Sequence, residues 1–220
     1  MGVYENIKHA IITEVYPPGF RLTEEALTKD WNVSRTPIRE ALKKLEFDGL
    51  ITPLKRGFIV RTFSKEDLQQ VYDLRALLES YAAAQAAMNR TEEDILFIQE
   101  AIRAYEIAML MKEKDMDQNQ AIVEANSRFH KGVIEASCNN HVRDLIDKVV
   151  VLPLMFRSFY HFDQTDIDQS FQMHKTIARA IVNNDPDRAK TAMQEHILRG
   201  RDFVLQHYES GATAVNQTID

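Results

Sequence analysis

Three histidines and an asparagine stand at spacings that could bind a metal. Asn126 and His130 are four residues apart, in a run whose apolar members Ile122, Val123, Val133 and Ile134 share their helical face. His174 falls in the stripe Phe171, Ile177, Ala178 and Ile181, and His196 in the stripe Ala189, Ala192, Met193 and Phe203. The two stripes join at "NNDPD", with Asp185 eleven residues from either histidine. An antiparallel pair of helices would bring both imidazoles to one level, facing one interior. A single buried histidine is more often a hydrogen-bonded core residue, but three at one level suit a divalent metal. Zinc takes such nitrogen ligands, and nickel, copper or manganese also fit. The oxygen of Asn126 is a fourth, weaker candidate, with further positions open to water or an anion. His141, His161 and His207 share no stripe with another ligand type and are expected to be ordinary polar residues.

A second constellation lies in "NVSRTPIREAL", Asn32 to Leu42. Arg35, Arg39 and Lys43 recur at i, i+4 and i+8 and form one stripe. Ile38, Ala41, Leu42 and Leu45 form the opposite, inward one. Ser34 or Thr36 can cap such a helix, and Pro37 sits in the first turn, where its missing N–H costs nothing. Arginine can bond guanine O6 and N7 through two N–H groups at once, and a recognition helix enters the major groove by its N-terminal end. The alternative is a solvated basic face, and neighbouring elements decide between the two.

Those elements read as follows. "YENIKHAIITEV" places Ile7, Ile11 and Ile12 on one helical face, and "YPPGF" stops it. "LTEEALTKDW" predicts a second helix capped by Thr23, with Glu24 and Glu25 in its positive first turn. Asn32 tolerates the left-handed turn that follows. Gly49 ends the third helix, and "LITPL", "KRG" and "FIVRT" predict a β-hairpin turning at Gly57, with Lys55 and Arg56 at its tip. Three short helices, a tight turn and a basic hairpin describe a winged helix-turn-helix over residues 1–63. The fold class is therefore mostly α, the second part being an all-α bundle over 64–210. Its helices are expected from Ser64 onward, then over Glu92–Lys114, Gln118–Ala136, Val142–Phe159, Ser170–Asn183 and Pro186–Tyr208, with a loose tail at 211–220.

Composition agrees with this division. The 220 residues carry a net charge of −6, unevenly spread. Residues 1–62 hold ten Lys and Arg against eight Asp and Glu, and 63–220 hold seventeen against twenty-five. An acidic protein with one basic face can still bind DNA. The single cysteine, Cys138, fits a reducing compartment. No apolar run suggests a membrane span or a secretory signal, so a cytoplasmic protein is expected.

The segment "PGFRLTEEALTKDWNVSRTPIREALKKLEFDGLITPLKRGFIV" resembles the winged-helix domain of GntR-type transcription regulators. It departs from the usual pattern at Thr28, Asn32, Ile38 and Asp48. The resemblance implies that Arg35 and Arg39 read bases, with Thr23, Ser34, Thr36 and Gly57 near the DNA backbone. "LQQVYDLRALLE", "NSRFH" and "MHKTIARAIVNNDPDRAKTAMQEHI" resemble the FCD-type effector domain of the FadR subgroup, in which His130, His174 and His196 match metal ligands. Asn126 stands where aspartate is common and Met173 where glutamate is common; an amide binds metal less strongly than a carboxylate. The resemblance further implies a small carboxylate metabolite as effector, with Arg75 and Arg157 as candidate anion contacts. Arg75 could instead pair with Glu79 at i+4.

The expectation is thus a homodimeric repressor on double-stranded palindromic DNA, controlled by a small organic acid at or near a metal, most simply zinc. Control by the metal alone is the alternative. A metal-dependent hydrolase is the distant third, because no Glu or Asp shares the inward stripes near the histidines to act as general base.

Overall fold

A computed structural model describes residues 2–111, 116–149 and 162–208. The chain divides into two compact units between Ser64 and Lys65.

The first unit runs α1 (Val3–Ile12), β1 (Arg21–Leu22), α2 (Glu24–Trp31), α3 (Arg35–Phe47), β2 (Ile51–Pro53) and β3 (Phe58–Val60). Ile7, Ile11, Leu27, Ile38, Leu42, Leu45 and Val60 form its core, so the inward stripe of α3 is the one its spacing predicts. Helix α2 starts where the Thr23 hydroxyl accepts the Ala26 N–H at 3.1 Å. It ends at Asn32, whose φ of 49° and ψ of 46° are left-handed, and this tight turn redirects the chain into α3. Helix α3 closes on Gly49, at φ +70°. There the N–H of Leu50 donates to the carbonyl of Leu45 at 2.9 Å and that of Gly49 to Glu46 at 3.0 Å, which satisfies two end carbonyls.

The sheet has the order β1-β3-β2, antiparallel throughout, with Ile59 facing Arg21 on one side and Thr52 on the other. The β2–β3 hairpin is the predicted one; β1 was not expected, being two residues long and too short to show a period. Gly57 explains how it fits. At φ +82°, a Cβ on Gly57 would lie 2.4 Å from the Leu22 carbonyl oxygen, so the hairpin turn can press against β1 only with glycine there.

The second unit is all helical: α4 (Lys65–Asn89), α5 (Glu92–Met109), α6 (Met116–Ala136), α7 (Asn140–Val149), α8 (Gln164–Val182) and α9 (Pro186–His207). Ala76, Ala83, Ala86 and Ala87 of α4 are buried against Ile177, Ile181, Met193 and Ile197 of α8 and α9, and small side chains let these axes come close. The α8–α9 turn is made by Asn184 at φ 57°, with the N–H of Asp185 donating to Ala180 at 3.0 Å. Asp185 then caps α9 by accepting the Arg188 N–H at 3.1 Å, and Pro186 fills the first position.

Several boundaries differ from the expected ones. Helix α8 begins at Gln164 rather than Ser170, because Asp163 and Asp166 form a reciprocal capping box. Helix α5 ends at Met109, and Lys114 lies outside the described residues. Helix α7 is described only to Val149, and the tail at 211–220 also lies outside. No helix among the described residues is long and apolar enough to cross a membrane.

Candidate nucleic-acid interface and candidate metal centre

Helix α3 turns its charged stripe outward: Arg35, Arg39 and Lys43 are exposed, as are Ser34 and Thr36 at its start. Ser34 occupies the N-cap position, but its hydroxyl makes no capping bond, so the expectation that Ser34 or Thr36 would cap the helix is not met; Thr36 lies inside the first turn. The two arginines differ. Arg35 is drawn into no ion pair among the described residues. Arg39 donates from Nε and Nη2 to the two carboxylate oxygens of Glu24, each at 2.9 Å. Hydrogen bonding from Arg39 holds the Glu24 carboxyl below its ordinary range, and Glu24 holds the guanidinium charged. Lys44, one residue past the stripe, lies over the Tyr4 ring at 3.9 Å and is spent on packing.

At the hairpin tip Lys55 and Arg56 are exposed. The turn between them is braced from two sides. The Leu54 N–H donates to the Gly57 carbonyl at 2.9 Å, and Arg21 Nη2 donates to the Arg56 carbonyl at 2.9 Å. Thr23, half-buried, spends its hydroxyl on capping α2. The arrangement presents a basic helix end and a basic, rigid hairpin tip from one unit, which is the geometry needed to contact phosphates and base edges.

In the second unit, α6, α8 and α9 bring His130, His174 and His196 together. The Nε2 atoms of His130 and His196 are 3.2 Å apart, and those of His174 and His196 are 3.1 Å apart. The α8–α9 turn at Asp185 produces this level, as the eleven-residue spacing predicts. Phe129 and Tyr105 wall the cluster, with ring centroids 4.4 Å and 5.2 Å from that of His174. Asn126 is buried one turn before His130 on α6.

Behind His130 lies a buried ion pair. Glu79, 1% exposed, accepts from Arg75 Nε at 2.8 Å through Oε1, and its Oε2 is 2.6 Å from His130 Nδ1. Burial alone would push the Glu79 carboxyl up, but the charge of Arg75 and the bond from His130 outweigh it and bring it down to about 2. An ionised Glu79 can only accept, so His130 donates to it through a proton on Nδ1, and its Nε2 faces inward. Burial, and then the neighbouring imidazoles, push His174 well below the ordinary histidine value. His196 is lowered in the same way, by burial first and His130 next.

These features fit a cation. The single in-plane position on His196 Nε2 faces two other ring nitrogens, and one proton cannot lie along both directions. His174 and His196 are held neutral by burial, and three imidazoles converging on one region are the donor set a divalent ion requires. Glu79 bonded to the far nitrogen of His130 is the support such ligands usually have. The Nδ1 of His174 has no partner among the described residues.

Glu79 enters the sequence reading only as an i+4 partner for Arg75; its bond to His130 was missed, and the expectation that no Glu or Asp shares an inward face near the histidines is corrected by it. The signal was present: Arg75 and Glu79 are i, i+4 charges inside the alanine-rich run of α4. The carboxylate nonetheless bonds Nδ1, on the side of the ring away from the converging nitrogens, and is held ionised by Arg75, so it is not placed as a general base. Arg75 itself is 4% exposed and committed to Glu79 through Nε. Arg157 and His161 lie outside the described residues. His141 is exposed, and His207 Nδ1 bonds the Phe203 carbonyl at 2.9 Å.

Comparison with known proteins agrees with both halves. The model of the bacterial regulatory proteins of the gntR family matches residues 1–59, and that of the FCD domain matches residues 70–199, more than half of the chain. The chain belongs to the GntR family, with an FCD domain. It is a transcription regulator rather than an enzyme. YdhC, an uncharacterized HTH-type transcriptional regulator of Bacillus subtilis strain 168, is 27% identical over 209 residues, covering 94% of this chain and 92% of its own. The HTH-type transcriptional repressor RspR of Escherichia coli K12 is 26% identical over 207 residues, covering 93% and 88%. The solved structure of E. coli McbR/YncC shares the fold with a TM-score of 0.76 at 22% identity, covering 94% of this chain and 96% of that one.

Proposed function

We propose that this GntR-family chain is a cytoplasmic repressor that binds a palindromic DNA operator as a homodimer and releases it when a small carboxylate metabolite binds at or beside a divalent metal. In this reading residues 1–63 bind DNA, residues 64–210 bind effector and dimerise, and 211–220 form a tail. The carrying observation is the convergence of the His130, His174 and His196 Nε2 atoms in the interior of the second unit. Zinc is the metal this donor set suits best, with nickel or manganese as alternatives, and Asn126 as a further, weaker ligand. A bound divalent ion would supply a positive centre with positions open to a carboxylate. The chain's own residues do the rest. Glu79 orients His130, the aromatic wall of Tyr105 and Phe129 excludes water, and Arg75 keeps Glu79 ionised. Arg157 is the remaining candidate for a direct anion contact.

Two further observations support the reading. One winged helix touches few base pairs, so a dimer on two half-sites is the economical solution. Leu74, Leu77, Tyr81 and Met88 are all exposed along one side of α4, an apolar stripe of the kind a second copy covers. The repressor assignment follows from the similarity to RspR, a transcriptional repressor.

The test is elemental analysis of the purified protein followed by gel shift on the duplex upstream of its own gene. Retardation that is lost with Arg39→Ala, and reversed by one of a panel of sugar acids, hydroxy acids and fatty-acid derivatives only in metal-loaded protein, is the expected result. Retardation unaffected by every acid but reversed or induced by zinc alone favours the second reading, in which the metal is the signal. Equal retardation by Arg39→Ala refutes the assigned DNA face.

A further inference from the structure

We propose that Glu24 is a positioning residue that selects which edge of Arg39 meets DNA, and thereby sets the base preference at one position of each half-site. This rests on the reading of α3 as the DNA-reading helix.

Guanidinium presents two forks. The side fork consists of Nε–H and one N–H of Nη2; the end fork consists of one N–H from each of Nη1 and Nη2. Glu24 occupies the side fork completely, Oε1 accepting from Nε and Oε2 from Nη2, each at 2.9 Å. Two parallel bonds make the carboxylate and guanidinium coplanar, so the ring of donors cannot rotate. The end fork is left without a partner among the described residues, on a side chain that is 59% exposed. That free end fork presents two parallel N–H groups, which can bond guanine O6 and N7 together.

Glu24 is itself held still. It is the first residue of α2, directly after the Thr23 cap, and its carbonyl accepts the Thr28 hydroxyl at 2.6 Å. The left-handed Asn32 fixes the turn by which α2 aims this carboxylate across at α3. Arg35 lies near enough for its charge to lower the Glu24 carboxyl, yet no bond joins them, so of the two arginines only Arg39 is oriented in advance. Ordering a long side chain before contact removes part of the entropy loss on binding.

A carboxylate at a DNA-facing surface repels phosphate. If the pair were only a surface ion pair, removing Glu24 would leave base preference intact and bring random-sequence affinity up or leave it level. A positioning role gives a different outcome: random-sequence affinity is kept or raised while preference at one base falls. The experiment is selection of sites from a random duplex library by the full-length wild type, Glu24→Gln, Arg39→Lys and Arg39→Ala. Competition binding of selected duplexes against random duplex, and a melting curve for each variant, complete it.

Wild type is expected to select guanine at one position in each half-site, and Arg39→Ala to lose it. Glu24→Gln and Arg39→Lys should lose preference at that same position by about tenfold or more, while every other position is kept. Glu24→Gln keeping the wild-type preference overturns the proposal. Arg39→Lys serves if the glutamine variant melts early, since lysine keeps the charge but cannot hold the two parallel bonds; wild-type preference in it also overturns the proposal. If Arg39→Ala alters no position, α3 does not read DNA through Arg39, and the DNA-face assignment falls with the proposal. Loss in Arg39→Ala with retention in Glu24→Gln leaves that assignment standing and removes only the positioning role.

Discussion

Glu79→Gln keeps the size of the side chain and removes its charge, which leaves the Arg75 guanidinium buried without a counter-charge. Arg75 is 4% exposed and Glu79 1%, so water cannot compensate. Breaking a buried pair from one side costs about 3–5 kcal/mol. The carboxyl gives a second route to the magnitude. It is lowered from 4.5 to about 2, and at about 1.4 kcal/mol for each pH unit this is on the order of 3 kcal/mol. For a chain of this size each kcal/mol moves the unfolding midpoint by about 2–4 °C, so a fall of roughly 6–20 °C is expected. The variant also releases His130 from its fixed tautomer, and zinc affinity should drop about 10–100-fold. Thermal unfolding at pH 7 with zinc removed, and zinc titration against a competing chelator, measure the two effects separately. A midpoint within about 2 °C of wild type, with unchanged zinc affinity, refutes the account of Arg75, Glu79 and His130 as one unit.

Acid should destabilise the metal-free second unit in two stages. Buried His174 and His196 are lowered, so the unfolded chain takes protons first and stability falls as pH drops below about 6.5. Glu79 is also lowered; its contribution is present above 4.5 and disappears as pH falls from there towards about 2, and unfolding curves of Glu79→Gln should lack that second stage. Gly57→Ala should destabilise the first unit by about 1–3 kcal/mol, because a left-handed backbone and contact with the Leu22 carbonyl both oppose a Cβ, and retardation of DNA should weaken with it. Lys55→Ala should weaken binding to all duplexes alike and reduce the salt slope by about 1, the mark of a phosphate contact. Asn126→Asp should tighten zinc binding if residue 126 is a ligand, and titration against a chelator would show no change if it is not.

The first unit was largely legible because its signals are local. Thr23 caps α2, Asn32 takes the left-handed turn and Gly49 closes α3, each through its own backbone or a neighbour within a few residues. The start of α8 was equally local, in the reciprocal bonds of Asp163 and Asp166, and was overlooked. The histidine level was legible for a different reason: equal spacing about the α8–α9 turn is geometry that the chain carries in its numbering. Strand β1 was not legible, because two residues have no period and it exists only by pairing with Phe58 and Ile59 of β3.

The sequence by itself determined the two kinds of architecture, the outward basic stripe of α3, the basic hairpin tip and the inward faces of His130, His174 and His196. All of these follow from periodicity and from turn chemistry. Only the tertiary structure decided the partners of the charged groups. Whether Arg75 meets an anion or Glu79 of its own helix depends on what burial leaves around it, and which nitrogen of His130 holds the proton and which fork of Arg39 is free depend on side chains from other helices. A helical period says which way a charge points; the distance to its counter-charge, and the loss of water around both, are set when the helices pack.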